Sequence, residues 1–169
     1  MTHADLNDLC DAADTAIEAG GGFGWIELPA RDRMERYWKG VLAIPERHLL
    51  LARMDGIVCG AAQLIEPSRH NEAQSFSATI LAAFVAPWAR GKGAGRKLIN
   101  TAEKLALGME YKVLQADMRD TQDAAIRLFE GAGYKQWGAN PAYAMVQGRM
   151  IGGRYYTKTI APFFVPQIA

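Results

Sequence analysis

A glycine-rich stretch in the middle of the chain has the residue types of an anion-binding site. Between residues 84 and 98, an apolar strand end and a proline precede alternating glycines and a helical pattern. Backbone N–H groups in the first turn of a helix lack intrahelical partners, and together with the helix dipole they attract anions. Glycines have no Cβ, so a phosphate can approach the backbone closely. The stretch predicts a diphosphate site formed by Gly91, Gly93 and Gly95 with the cations Arg90, Lys92 and Arg96.

Other interpretations of these glycines fit less well or remain open. A plain turn before a helix would use the same residues, and for an isolated Gly-x-Gly-x-Gly that is the better interpretation. A dinucleotide-binding fold requires Gly-x-Gly-x-x-Gly with an acidic residue about twenty residues later. A P-loop requires Gly-x-x-x-x-Gly-Lys followed by Ser or Thr. This stretch has neither spacing.

Two blocks of the sequence resemble the GNAT (Gcn5-related N-acetyltransferase) superfamily. The first, Arg90-Gly-Lys-Gly-Ala-Gly95, matches its pyrophosphate loop Arg/Gln-x-x-Gly-x-Gly/Ala. The second, Gln122-x-x-Ala125-x-x-Leu128-Phe129-Glu130-x-x-Gly133-Tyr134, resembles Asn-x-x-Ala-x-x-Leu-Tyr-Glu-x-x-Gly-Phe. The resemblance covers nearly the whole chain, and within the superfamily it is most similar to small-molecule resistance enzymes such as the tabtoxin-resistance acetyltransferases.

The resemblance implies a set of residues that hold acetyl-CoA as co-substrate, with no metal. In the family, the strand end and the glycine loop bind the pantetheine arm and the diphosphate. Carried over position by position, the implied residues are Phe84, Val85, Arg90, Gly91, Lys92, Gly93, Ala94, Gly95, Arg96, Gln122 and Phe129.

The sequence departs from the family pattern at three places. The usual Asn is Gln122, and the usual Tyr, often the acid that protonates the departing CoA thiolate, is Phe129. Phenylalanine cannot donate a proton, so another group or solvent must do so. The family's opening strand also has little room before the first helical pattern, which would leave a sheet edge exposed or covered by a partner chain.

Attack of an amine on a thioester requires a base, and Asp117 is the candidate. Alternation along the strand 113–117 places it on one face with Val113 and Gln115. An equally good interpretation is that Asp117 caps the following turn. Three other loop residues fit solvated positions better than catalytic ones: Glu27, Glu72 and His70.

A tyrosine is the expected replacement acid, because a phenol near the sulfur could protonate a thiolate. Tyr134 is the candidate that we assign, and core packing is the default alternative for each tyrosine in the closing strands. The others considered are Tyr143, Tyr155 and Tyr156.

Composition indicates a single domain spanning 1–169, located in the cytoplasm. Nineteen basic residues balance eighteen acidic ones, which gives no reason to expect a nucleic-acid partner. The two cysteines and three histidines have no ligand spacing, so no disulfide framework or metal site is expected. No signal peptide or membrane-spanning stretch is visible.

Hydrophobic periodicity predicts an α/β fold with a mixed, largely antiparallel central sheet flanked by helices, and the resemblance implies that this sheet is GNAT-like. Two helices come first, followed by a hairpin around Asp55-Gly56, a long strand over 74–85, and a helix after the glycine loop. A short strand, a helix over 122–130 and three aromatic-rich strands over 134–137, 143–147 and 155–160 complete the chain. The apolar tail, 161–169, predicts docking on the domain or on a second copy of the chain as a homodimer.

The function expected from these features is acetyl-CoA-dependent N-acetylation of a primary amine on a small molecule, by direct transfer in a ternary complex. Two alternatives remain open from the sequence. One is a CoA-binding sensor without turnover, because the usual Tyr is replaced at Phe129. The other is a protein or peptide N-acetyltransferase.

Overall fold

A six-stranded sheet with the strand order β1-β2-β3-β4-β6-β5 forms the centre of the molecule. The computed structural model describes residues 1–21 and 23–162. The strands are β1 (Arg47–Met54), β2 (Ile57–Ile65), β3 (Ser77–Val85), β4 (Val113–Arg119), β5 (Lys135–Val146) and β6 (Arg149–Thr159). The helices are α1 (His3–Glu18), α2 (Arg31–Ala43), α3 (Ala94–Gly108) and α4 (Asp123–Gly131). This is the mixed, mostly antiparallel sheet flanked by helices that the sequence predicts.

Helices α1 and α2 cover one face of the sheet. Thr2 caps α1 through a reciprocal pair of hydrogen bonds with Asp5. In the described sheet, β1 and β5 are the edge strands. The buried stripe of α1 packs with Trp38 of α2 and with Phe84 of β3. Burial of this apolar surface holds the two helices on the sheet.

Helices α3 and α4 cover the opposite face. Leu98 and Ile99 of α3 and Ile126 and Phe129 of α4 share one apolar cluster with the inward residues of β4. Those inward residues include Leu114, Ala116 and Met118, as the alternation in the sequence predicts.

Strands β3 and β4, the parallel pair of the sheet, separate after a short contact. They pair through Ser77–Val113, Ala78–Leu114 and Thr79–Gln115, and then diverge. Beyond that point β3 pairs with β2 alone, and one extra residue near Ala82, whose φ is +51°, forms a bulge. The second half of β3 therefore presents an open edge toward β4.

Two strand predictions are corrected by the structure. Strand β3 begins at Ser77, because the preceding residues Glu72–Gln74 form a 3-10 turn. The closing segment contains two long strands where three short ones were expected, and Gly152-Gly153 lie within β6. Between Asn140 and Ala144, β5 has two extra residues relative to β6, and this bulge accommodates Pro141 without ending the strand.

Among the described residues, no helix is long and apolar enough to cross a membrane. The predicted docking of the tail concerns 161–169, most of which lies outside the described residues.

A carboxylate at the end of β2 links three parts of the fold. Glu66 lies 2.7 Å from His48 Nε2 and accepts a hydrogen bond of 3.0 Å from the Tyr111 hydroxyl. The hydrogen bond from His48 is the main reason why the pKa of Glu66 is lowered, while burial and Glu66 together raise the pKa of Tyr111 to about 12. A carboxyl group with a lowered folded-state pKa stabilises the fold above its unfolded pKa, and that stability is lost as pH falls.

We expect Glu66→Gln to lower the free energy of unfolding by about 1 kcal/mol at pH 7, because it removes the charged acceptor. The difference from the wild type should begin to shrink as the pH falls below the unfolded pKa of a glutamate, about 4.3, and should be lost once the pH passes below the lowered folded-state pKa of Glu66. Urea unfolding at pH 7, 5 and 3.5 measures this. Glu72→Gln is the matched control, since Glu72 is exposed and forms no described ion pair. Equal pH profiles for the two variants would contradict the assignment.

Candidate active site

A cavity of about 550 Å³ lies between the glycine loop, the open edge of β3 and the start of α4. We call it the loop cavity. Of the eleven residues that the sequence assigns to cofactor binding, Lys92 alone does not line it. The lysine ammonium lies 3.6 Å from Met54 Sδ, at the β1–β2 hairpin. The loop cavity thus brings the two sequence blocks together from opposite sides.

The glycine loop presents free backbone donors to this cavity. Gly91 and Gly93 have φ values of +75° and +83°, a region that residues with a Cβ rarely adopt. The first α-helical hydrogen bond of α3 runs from Lys97 N to Gly93 O at 3.0 Å. Within the described chain, the N–H groups of Ala94 to Arg96 therefore have no acceptor. Such donors, at the positive end of a helix dipole, form an anion site.

Close packing at Gly95 sets the width of the loop cavity. A Cβ on Gly95 would lie 2.9 Å from Leu128 Cδ2 of α4, so a larger residue would have to displace that leucine side chain. At the start of the glycine loop, Arg90 Nε donates a hydrogen bond of 3.1 Å to the Val85 carbonyl. The cation is thereby anchored to the end of β3.

The end of β3 directs polar backbone groups into the same cavity. Ala86 N bonds to Cys59 O of β2 at 2.8 Å, and N–H groups alternate in direction along a strand. The N–H of Val85 therefore points away from β2 and toward the open edge. This donor lies beside the wall formed by Ala83 and Phe84.

A second cavity, of about 520 Å³, lies on the α1–α2 face of the sheet. We call it the face cavity. Its walls come from the α1–α2 loop, α2, the middle of the sheet and the bulged part of β5. Four residues line both cavities: Ala83, Gln122, Ala125 and Phe129. The two cavities therefore meet at a shared wall, where β3 and β4 have separated.

Asp117 lies in the face cavity and is held by a tyrosine. The Tyr143 hydroxyl donates a hydrogen bond to the Asp117 carboxylate. The ring of Tyr143 covers Gly153 so closely that a Cβ there could not be accommodated. Burial, followed by the hydrogen bond to Asp117, raises the pKa of Tyr143, so this phenol keeps its proton.

Asp117 does not close the turn that follows β4. The N–H of Arg119 donates to Gln122 Oε1 at 3.1 Å, so the glutamine side chain makes that connection. The capping role considered for Asp117 in the sequence is therefore filled by Gln122. The carboxylate of Asp117 instead faces the cavity and Tyr143.

A chain of polar side chains lines the far end of the face cavity. Gln63, which is 1% exposed, donates a hydrogen bond of 2.9 Å to the Tyr37 hydroxyl. Its Oε1 lies 3.5 Å from a guanidinium nitrogen of Arg47. These three residues were not among the site residues predicted from the sequence. The alternation of Arg47 with Leu49 and Leu51 on β1 was the signal that could have placed Arg47 on this face.

The remaining sequence-predicted residues lie apart from the two cavities. Tyr134 is 3% exposed and packs edge-on against Phe129, with ring centroids 5.0 Å apart. Burial raises its pKa, and it lines neither cavity. Tyr156 donates a hydrogen bond to Glu130, and the exposed residues Glu27, His70 and Glu72 also lie outside both linings. In the part of the chain that the structure describes, no cluster of His, Cys, Asp and Glu could hold a metal ion.

Comparison with known proteins agrees with this geometry. The model of the Acetyltransferase (GNAT) family matches residues 15–134. The chain is 56% identical over 118 residues, 70% of each protein, to the uncharacterized N-acetyltransferase of the hisH-hisA intergenic region in Azospirillum brasilense. It is 30% identical over 107 residues to the N-alpha-acetyltransferase RimI of Mycobacterium tuberculosis, a match that covers 63% of this chain and 64% of that protein.

A solved structure with a similar fold is that of yncA from Salmonella typhimurium with its cofactor acetyl-CoA. It superposes with a TM-score of 0.78 at 18% identity, covering 100% of this chain and 96% of that chain. At this identity the likeness shows the fold. Because the family model spans well over half of the sequence and a relative exceeds half identity over 70% of it, the chain belongs to the GNAT family of acetyltransferases.

Proposed function

We propose that this acetyltransferase transfers the acetyl group of acetyl-CoA directly to a primary amine of a small molecule. The observation that carries the proposal is the shared wall, where a cavity with an anion site meets a cavity with a carboxylate. Two substrates bound on the two sides would meet there without a covalent enzyme intermediate. A face cavity of about 520 Å³ is within the size range of small-molecule sites.

The loop cavity fits acetyl-CoA by its donors and its shape. The diphosphate would lie at the first turn of α3, where Ala94 to Arg96 offer unpaired N–H groups and Arg96 adds positive charge. The pantetheine arm is an amide-containing chain, and the open edge of β3 offers it backbone partners. This arrangement would bring the thioester to the shared wall, beside Val85.

The proposed reaction forms one C–N bond and breaks one C–S bond. Asp117 accepts a proton from the substrate ammonium group, and the neutral amine then attacks the thioester carbonyl. The N–H of Val85 stabilises the negative charge that develops on the carbonyl oxygen. Collapse expels the thiolate of CoA, which carries away the electron pair of the C–S bond, and the nitrogen releases its remaining extra proton to water to give the amide.

In our proposal, water protonates this thiolate, because Phe129 has no proton to donate. A thiolate with an ordinary pKa near 8.5 is a stable leaving group around neutral pH, so a strong acid is not required. Tyr143 holds its proton too tightly to serve and instead orients Asp117. Tyr134 lies behind Phe129 in the core.

The acceptor in our proposal is a small molecule, and one relative favours a second candidate. RimI of Mycobacterium tuberculosis is named as an N-alpha-acetyltransferase, which suggests the N-terminus of a protein as acceptor. A panel of small amines and of peptides with free N-termini, with release of CoA thiol as the readout, separates the two. Acetyl-CoA binding without transfer to either class would favour a sensor.

Gly93→Val tests the loop cavity. A β-branched residue at φ +83° strains the helix start and turns its donors away, so calorimetric affinity for acetyl-CoA should fall at least about tenfold. Gly148→Val is the matched control, because Gly148 has a φ of +74° in the β5–β6 turn, outside both cavities. Both variants should lose roughly 1–2 kcal/mol of stability. Wild-type protein that does not bind at millimolar acetyl-CoA, or equal affinities in both variants, would refute the assignment.

Asp117→Asn tests the chemistry. We expect kcat to fall by about 10²- to 10⁴-fold with unchanged affinity for acetyl-CoA, because only the base is removed. Tyr143→Phe keeps the ring over Gly153 but removes the hydrogen bond, and kcat should fall by about tenfold. Tyr111→Phe is the control, since it removes a tyrosine–carboxylate bond outside both cavities. Wild-type kcat in Asp117→Asn would exclude Asp117 as the base.

A further inference from the structure

The far end of the face cavity contains an arginine whose charge has no acidic partner in the described chain. Arg47 lines the cavity from β1, and its one described polar contact is the neutral Gln63 oxygen at 3.5 Å. Other arginines near this face behave differently. Arg31 and Arg36 form ion pairs with aspartates, and Arg33 stacks on the Trp25 ring.

The contact of Arg47 with Gln63, at 3.5 Å, is long for a hydrogen bond and leaves the guanidinium available to a ligand. Gln63 is nearly fully buried and is itself held by the Tyr37 hydroxyl, so the contact comes from a rigid group. A partly buried cation loses hydration, and that loss is best offset by an anion. A planar guanidinium suits a carboxylate in particular, because it can donate two parallel hydrogen bonds.

The opposite end of the same cavity contains a carboxylate, with Arg119 of the same strand also in the lining. Asp117 is the one carboxylate among the described lining residues, and it stands next to the shared wall. Gln63 on β2 pairs with Leu81 on β3, and Asp117 lies on the next strand, β4. Arg47 on β1 is offset from this row by two residues and reaches it through its contact with Gln63. A ligand lying along this row would meet a cation at one end and an anion at the other.

We propose that the acceptor is an aminocarboxylic acid whose amine and carboxylate lie several bonds apart, such as an amino acid with an amine on its side chain, because β2 and β4 are two strand spacings, roughly 10 Å, apart. Its carboxylate binds Arg47, and its ammonium group lies at Asp117, next to the thioester. The inference rests on the proposed function, since it names the substrate class of the same site. The inference also distinguishes a free amino acid from a protein N-terminus as the acceptor, because the first residue of a protein has no free backbone carboxylate.

The test uses matched acceptors and the full-length enzyme. Each L-amino acid is compared with its carboxamide and with the amine that lacks the carboxyl group, using thiol release as the readout. We expect kcat/KM for at least one amino acid to exceed that of its carboxamide by about tenfold or more, the worth of a charge-assisted pair. In Arg47→Gln this preference should disappear, mainly through a higher KM, while kcat and affinity for acetyl-CoA remain.

Arg36→Gln is the matched control, because it removes an exposed positive charge from α2 without touching the cavity. If Arg47→Gln does not fold, inhibition of the wild type answers the same question. A carboxylic acid without an amine should compete with the acceptor more strongly than its carboxamide does. Arg47→Lys should retain part of the preference, since it keeps the charge but loses the two-pronged geometry.

The outcomes separate this inference from the proposed function. Equal kcat/KM for acids and carboxamides in the wild type would overturn the inference and leave the acetyltransferase proposal intact. A preference that survives Arg47→Gln would overturn the role of Arg47. No transfer to any amine despite binding of acetyl-CoA would overturn the proposed function and the inference together.

Discussion

Strands β3 and β4 run parallel for only three residue pairs, and the two cavities exist because the strands then separate. Had the pairing continued, the backbone groups of Ala83 to Val85 would be occupied by β4 and the sheet would be closed. The bulge at Ala82 bends β3 away from its neighbour, and the apolar clusters on both faces hold the strands in that position. The loop cavity and the face cavity are the two sides of this single opening.

A second distortion of the sheet, the bulge in β5, places Tyr143 next to the Asp117 carboxylate. The extra residues between Asn140 and Ala144 turn Tyr143 inward over Gly153, where its hydroxyl reaches Asp117. Gly153 leaves room for the ring, and Gly152 does the same for the side chain of Asp120. The two glycines that looked like the end of a strand are therefore needed within it, because aromatic and acidic side chains lie directly on their backbone.

The parts of this site that are local in sequence could be predicted, and the long-range parts could not. The glycine loop is one continuous segment whose residue types indicate an anion site, so Arg90 to Arg96 could be proposed directly, and all of them except Lys92 line the loop cavity. The placement of Asp117 followed from alternation along one strand. The contact of Asp117 with Tyr143 joins residues 26 positions apart across a bulge, and no periodicity encodes it.

The position of Arg47 in the cavity also could not be predicted from the sequence. Its neighbours along the chain are unremarkable, and its significance arises only because β1 and β2 place it beside Gln63 and the sheet carries both toward the cavity of Asp117. For Tyr134 the sequence suggested a role that its position in the structure does not support. It belongs to a motif that is recognisable in the sequence, yet its side chain lies in the core, because the start of β5 turns it toward Phe129 and Lys158.

The most direct test of this account is an amide NMR titration of the labelled protein with acetyl-CoA. If the opening between β3 and β4 is the binding site, the signals of Ala94 to Arg96 and those of Ala83 to Val85 should shift together at one saturating ratio. The amides of β1 and of the β5–β6 turn should stay unchanged. Shifts confined to the glycine loop, or none at millimolar ligand, would contradict the claim that the separated strands hold the acetyl donor.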